Sequence, residues 1–294
     1  TGSSATLDVL NGSTIGGTQG TTGNTSDNGA GLYNDTNGTI TVDASNISGN
    51  VATTDGGGIY NNDGSVTVHN SSTVGGILGT TGNDATRFGG GAANFDTFTI
   101  TDSNITGNNA DQGGGGIRNI SNDILTIGNS SITGNTSGDT GGGLLSGVGQ
   151  SIIDASIISD NTAVRGGGLF ISESAPITIT NSSIVNNTAE EEGGIFTTAT
   201  TNITNSTVSG NTATVGDAGG LEVSEFLTTT LNYVTIVDNS AAGVGDGILF
   251  DNSLGATLEI ADSIIADNGD NNCNGIGITD NGGNYTDDAT GCPI

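Results

Sequence analysis

The chain contains no Met, no Trp and no Lys, and in 294 residues it has only three Arg, one His, two Pro and two Cys. Each shortage excludes something. Three cations stand against 31 acidic residues, a net charge of −28, so the chain cannot neutralise a row of phosphates. Nucleic acid and anionic lipid surfaces are therefore excluded as partners. With Pro so scarce and no G-X-Y period, the 53 glycines do not make collagen. No apolar run approaches the ~20 residues of a membrane span, and no basic-then-apolar leader opens the chain. The start at Thr1-Gly2-Ser3 without Met reads as a processed mature protein or a fragment, and a secreted, extracellular or cell-surface location is expected. Cys273 and Cys292 would close a loop worth about 3 kcal/mol if oxidised, which fits that location; two free thiols would fit a reducing cytosol.

What the chain does have is apolar residues, 32% of the total, gathered into short Val, Ile and Leu clusters, and these clusters repeat. A block of the type Gly56-Gly57-Gly58-Ile59 ends at Leu32, Ile59, Ala92, Ile117, Leu144, Leu169, Ile195, Leu221, Ile248 and, weakly, Ile276. The period is about 26 residues, in the range of solenoid repeats. A second block, Ile-x-x-Asn, ends at Asn50, Asn108, Asn135, Asn161, Asn187, Asn211, Asn239 and Asn268. At the two remaining turns Gly17 and Gly76 take the Asn place, within longer segments that match each other, Ser13–Asn24 and Ser72–Asn83.

Between these blocks lie alternating stretches such as Ile40-Thr41-Val42, Val66-Thr67-Val68 and Ile177-Thr178-Ile179. Alternation is the period of a strand with one buried face. Nothing has helical period, and Gly, Asn, Asp and Ser sit where tight turns need them. The expected fold is all-β: one right-handed parallel β-helix of about ten coils, with three short strands per coil. Coils stacked at about 4.8 Å place equivalent residues above one another. Ile47, Ile105, Ile132, Ile158, Ile184, Ile236 and Ile265 then form an apolar seam. Ser45, Ser71, Ser103, Ser130, Ser156, Ser182, Ser206 and Ser263 form a corner column, and the eight Asn form a ladder that satisfies polar groups inside the bend.

The paired Gly-Gly-x-Ile and Ile-x-x-Asn blocks resemble the repeats of the polymorphic outer membrane protein type, GGA[ILV] with FxxN. They also look like those of the broader right-handed parallel β-helix superfamily that includes pectate lyases. Ile or Val stands where that pattern has Phe. The resemblance covers residues 5 to about 280 and implies the fold and a secreted or surface location. Ser263 through Asn284-Tyr285 to Cys292 is similar to the closing turn of bacterial secreted β-helix proteins, in which paired cysteines seal the last coil. Residues 1–272 are thus read as repeats, and 273–294 as a disulfide-closed segment of the same domain.

Catalysis on polysaccharide is the alternative function. Lyase chemistry wants an Arg or Lys base, and hydrolase chemistry wants paired carboxylates facing one groove. Arg87, Arg118 and Arg165 form no Arg-x-Lys or His-Gly pair, His69 has no acidic neighbour in sequence, and the adjacent pair Asp287-Asp288 lies in the tail. The expectation is therefore no enzyme and no required cofactor. Calcium is a further possibility, because Asp27, Asp55, Asp111, Asp139, Glu190, Glu191, Glu192, Asp217 and Asp246 precede glycine blocks and would line one edge. Glu190, Glu191, Glu192, Asp217 and Asp246 are the candidate ligands. Thr41, Thr67, Thr99, Thr126, Thr178 and Thr230 form an outward file of the kind that binds ice, interrupted at Ile152, Asn202 and Glu259. Asn-x-Ser/Thr triplets at Asn46, Asn70, Asn104, Asn129, Asn181 and Asn205 follow from the repeat's own composition. The expected function is a non-catalytic extracellular structural or adhesive solenoid. Its partners would be further copies stacked end to end, glycans or other surface proteins.

Overall fold

The computed structural model describes residues 5–288 together with Cys292 and Ile294. Every strand pairs in parallel with the equivalent strand of the next coil, and the chain winds as a right-handed β-solenoid. It has four sheets rather than the three expected. The first runs from Thr6–Val9 to Thr279–Asp280 and the second from Thr14–Gly16 to Tyr285–Thr286, with 11 strands each. The third runs from Thr25–Ser26 to Ser240–Ala241 with 9 strands, and the fourth from Leu32–Asn34 to Cys273–Gly275 with 10.

A complete turn contributes one strand to every sheet, so the nine-stranded third sheet sets the count at about nine turns, not ten. The last glycine-block match, ending at Ile276, is not a further rung of the inward file. Cys273 pairs with Ile248 and takes the inward place, while Ile276 is exposed. The third sheet was invisible in the sequence because most of its strands have two residues, such as Val51–Ala52 and Asn109–Ala110. Two residues carry no detectable period. Their inward place is held by small side chains, among them Ala52, Ala85, Ala110, Ala163, Ala189 and Ala213, all buried.

The expected seam is present: Ile47, Ile105, Ile132, Ile158, Ile184, Ile236 and Ile265 have no exposed surface, and Val74 and Val208 complete the file. Burying each such side chain contributes about 1.5–3 kcal/mol. Behind it runs the Asn ladder, in which each Nδ2 donates to the Oδ1 of the next coil's Asn at 2.9–3.0 Å. The same Nδ2 also donates to a carbonyl of the preceding coil, as Asn135 does to Ile105 at 3.0 Å. Close approach of the coils to this ladder explains the last glycine of each block. A Cβ on Gly168 would lie 2.7 Å from the Gly194 oxygen and 3.0 Å from Asn187 Nδ2.

Two register assignments are corrected at the longer turns. Asn24 and Asn83, not Gly17 and Gly76, occupy the ladder, bonded to Asn50 and Asn108. The extra residues before each loop out at the corner between the second and third sheets, where Gln19 bonds Thr80 and Gly82. Likewise Ser72, not Ser71, joins the serine column: Ser72 Oγ accepts from the Ser45 amide at 3.2 Å, while Ser71 is exposed.

Asn272, Asn284 and Asp287 take the last described places of the two polar columns. Asn268 donates to Asn272, and Asn272 donates to Asp287, so the ladder ends on a carboxylate. Asn284 Oδ1 accepts from the Ser263 amide at 2.9 Å and ends the serine column. Cys273 and Cys292 lie at disulfide distance, with Cα atoms 4.7 Å apart.

Candidate functional site

The outward file of the fourth sheet differs from every other face. In register it reads Tyr33, Tyr60, Ala93, Arg118, Leu145, Phe170, Phe196, Glu222, Leu249. A chain with seven Phe and four Tyr places Tyr33, Tyr60, Phe88, Phe95, Phe170 and Phe196 here, with all three of its arginines. Stacking of coils makes the contacts. Tyr33 and Tyr60 stack at 5.2 Å between ring centres, Tyr60 and Phe95 lie 4.9 Å apart, and Phe170 and Phe196 stack at 4.7 Å.

Two arginine nodes anchor the file. Arg118 lies over Phe88 at 3.9 Å and pairs with Asp55 at 3.7 Å. Burial lowers its pKa against the pull of Asp55. Burial also raises the Tyr60 phenol, with Asp55 adding to it. Asp55 Oδ1 and Arg118 Nε are buried and lack a hydrogen-bond partner among the described residues. Such atoms cost about 1–3 kcal/mol each.

Arg165 forms the second node, 4.5 Å from the centre of Phe196. It donates to Glu192 through Nη2 at 2.5 Å and Nε at 3.1 Å, and Glu191 stands 3.2 Å from Nε. Burial works against the Arg165 charge, but the hydrogen bonds and charge of Glu192 raise its pKa on balance. Glu192 is only 2% exposed, and burial raises its pKa further than Arg165 lowers it. Its backbone sits at φ 50°, in a turn where Gly141, Gly166 and Gly245 sit at 63°, 61° and 73°. A residue with a Cβ loses about 1–2 kcal/mol there, so Glu192 is held by its Arg165 contact against a backbone preference. Glu222, one coil further on, is pushed up to about 7 by burial and then by the charge of Glu192. Together with Gly216, Asp217, Leu249 and Asp251 these side chains line a cavity of about 320 Å³.

No family model matches the chain, and no curated protein or solved structure matches it either.

The acidic edge expected from the sequence is divided among separate tasks. Glu191, Glu192 and Asp217 share the Arg165 cavity, whereas Glu190 is exposed outside its lining. Asp246 is buried and accepts from the amides of Ala241, Asp270 and Asn271 at 2.7, 3.0 and 2.9 Å, which fixes the last turn. Asp27 accepts from the Thr53 hydroxyl at 2.9 Å. Among the described residues, no three or more His, Cys, Asp or Glu side chains are grouped to hold a metal. His69 sits outward on the first sheet beside Asp43, and Asp287 serves the ladder end. The Thr file is in register from Thr41 through Thr67 and Thr99 to Thr126, then meets Ile152, Asn202 and Glu259.

Glu192 and Glu222 are paired carboxyls, but they touch each other. The carboxyls of a glycosidase stand about 5–9.5 Å apart, with the scissile bond between them. Sequence reasoning missed Glu222, Phe170 and Phe196. Their one signal was a charged or aromatic residue directly after a glycine block. It also missed a second ladder, Asn34, Asn61, Asn94 and Asn119, bonded Nδ2 to Oδ1 at 2.8 Å, although each Asn stands two residues after a block's end.

Proposed function

We propose that the chain is an extracellular or cell-surface adhesive solenoid, a binding rod rather than an enzyme, whose ligand face is the outward file of the fourth sheet. The observation that carries this reading is the gathering of all the arginines and most of the aromatic side chains onto that one face of a chain of net charge −28. Side chains so scarce, placed together, are a resource for recognition. Tyr33 is 50% exposed and opens the file, and the unpaired polar atoms of Asp55 and Arg118 lie beside Tyr60. Neutral glycans suit this mixture of ring edges, hydroxyls and amides, while the overall charge repels acidic ones. Kinship with polymorphic outer membrane protein repeats and the pectate-lyase-like superfamily is part of the same reading, supported by the repeat blocks and the parallel solenoid.

End-to-end association receives less support, because Asp287 and Asn284 already occupy the column ends at the C-terminal coil. The test is retention on a panel of neutral and acidic glycans, with Tyr33→Ala and Tyr60→Ala beside the native chain and Thr99→Ala as a control on another sheet. Loss of neutral-glycan binding in the two Tyr variants alone is the expected result. Equal binding by all of them would place the ligand elsewhere, and degraded glycan would favour the enzymatic alternative.

A further inference from the structure

Arg165, Glu192 and Glu222 come from three successive coils and meet as cation, anion and acid in one cavity, the first two at ends of third-sheet strands and the last on the fourth sheet. Glu192 is committed to Arg165 by two hydrogen bonds. The Glu222 carboxyl meets Glu192 in the same cavity, and Ser224 donates to its Oε1 at 2.9 Å. Two carboxyl groups in contact, with a single cation already bonded to one of them, cannot both ionise without repulsion.

We propose that Glu222 is a proton-operated latch: protonated, it donates to Glu192 and ties the coils of Arg165, Glu192 and Glu222 together; ionised, it repels Glu192 and loosens the coil that carries it. Among the charged groups around it Arg165 alone favours the ionised form, and the carboxylates oppose it. Arg165 ends the strand Thr162–Arg165, Glu191 ends Thr188–Glu191, and Glu192 follows it. Asp217 lies in the turn before the next glycine block, and Asp251 follows the strand Ile248–Phe250. Arg165 is the only cation lining the cavity and is already engaged by Glu191 and Glu192, so an ionised Glu222 faces four carboxylates with no free counter-charge among the described lining residues. The inference holds whatever the face binds.

The direction in pH follows from the chemistry. Burial first, and Glu192 second, push Glu222 from 4.5 up to about 7. A carboxyl raised in this way stabilises the folded chain fully below its free value and loses that contribution as the pH climbs through the folded one. The latch is therefore closed in acid and opens through neutrality.

A ¹³C NMR titration of the Glu carboxyls in the whole chain should show one midpoint near 7 that disappears in Glu222→Gln. Gln keeps a donor toward Glu192 and has no charge to lose. Between about pH 5 and about pH 8.5, the Tm of the native chain should fall by about 2–4 °C more than that of Glu222→Gln. Parallel Tm curves for the two proteins, or Glu midpoints that all lie in the ordinary carboxylate range, would each overturn the proposal. The NMR arm needs no variant to fold.

Discussion

Asn187 donates its Nδ2 to the Oδ1 of Asn211 at 3.0 Å, and its own Oδ1 accepts both the Nδ2 and the backbone amide of Asn161, at 2.9 and 3.1 Å. One side chain thus serves three coils, since its Nδ2 also reaches the Ile158 oxygen at 3.0 Å. Asn187→Ala leaves two donors of Asn161 unpaired in a dry bend and removes one of the two donors to the Asn211 Oδ1, which keeps the backbone amide at position 187. The expected loss is about 2–4 kcal/mol, read as a lower urea midpoint. Asn187→Asp should cost more, because a carboxylate there has no donor for Asn211. A loss under about 0.5 kcal/mol for both would show that the ladder is incidental to stability.

The corrected serine column makes a sharp comparison between neighbours. Ser72 Oγ accepts from Ser45 and donates to the His69 oxygen at 2.6 Å, whereas Ser71 is exposed. Ser72→Ala should lose about 1–2 kcal/mol in denaturant unfolding and Ser71→Ala less than about 0.5. The reverse order would restore the register expected from the sequence.

At the Arg165 node, Arg165→Gln strands a buried Glu192, whereas Glu192→Gly leaves an arginine that is one third exposed and still paired with Glu191. Solvent screening limits the second loss, and the glycine relieves the left-handed backbone. The expected costs are about 2–3 kcal/mol for Arg165→Gln and about 1 for Glu192→Gly. The double variant should cost less than the sum, a coupling that a double-mutant cycle measures directly. Strict additivity would mean that the pair does not interact in solution.

The C-terminal closure predicts where the rod frays. Asp287→Ala removes the acceptor that ends the ladder at Asn272, and reduction of Cys273 and Cys292 releases a loop worth about 3 kcal/mol. Either change should raise hydrogen exchange in the coil of Asn268 while the Asn135 coil stays protected, because solenoid coils depend mainly on their neighbours. Uniform exchange along the whole chain would instead mean that the rod unfolds as one unit.

Much of the fold is legible in the residues because a solenoid writes each structural demand once per coil. The Ile seam from Ile47 to Ile265, most of the Asn ladder and the parallel stacking could all be read from spacing alone. Reading stopped where periodicity is too short or is interrupted. Two-residue strands hid the third sheet, and the residues looping out before Asn24 and Asn83 moved two rungs out of register.

The candidate site lies on the other side of that boundary. Arg165, Glu192 and Glu222 are separated by a full coil or more and share no local motif, and Phe170 meets Phe196 only because parallel strands bring them into line. The residue pattern by itself determined that this chain is an acidic stack of glycine-punctuated coils, with no helix among the described residues, since burial and turn geometry act on every repeat alike. Which rare side chains share a face and which carboxyls are brought together around Arg165 were decided by the tertiary structure. Those properties depend on distances across coils, and no one-dimensional pattern contains them.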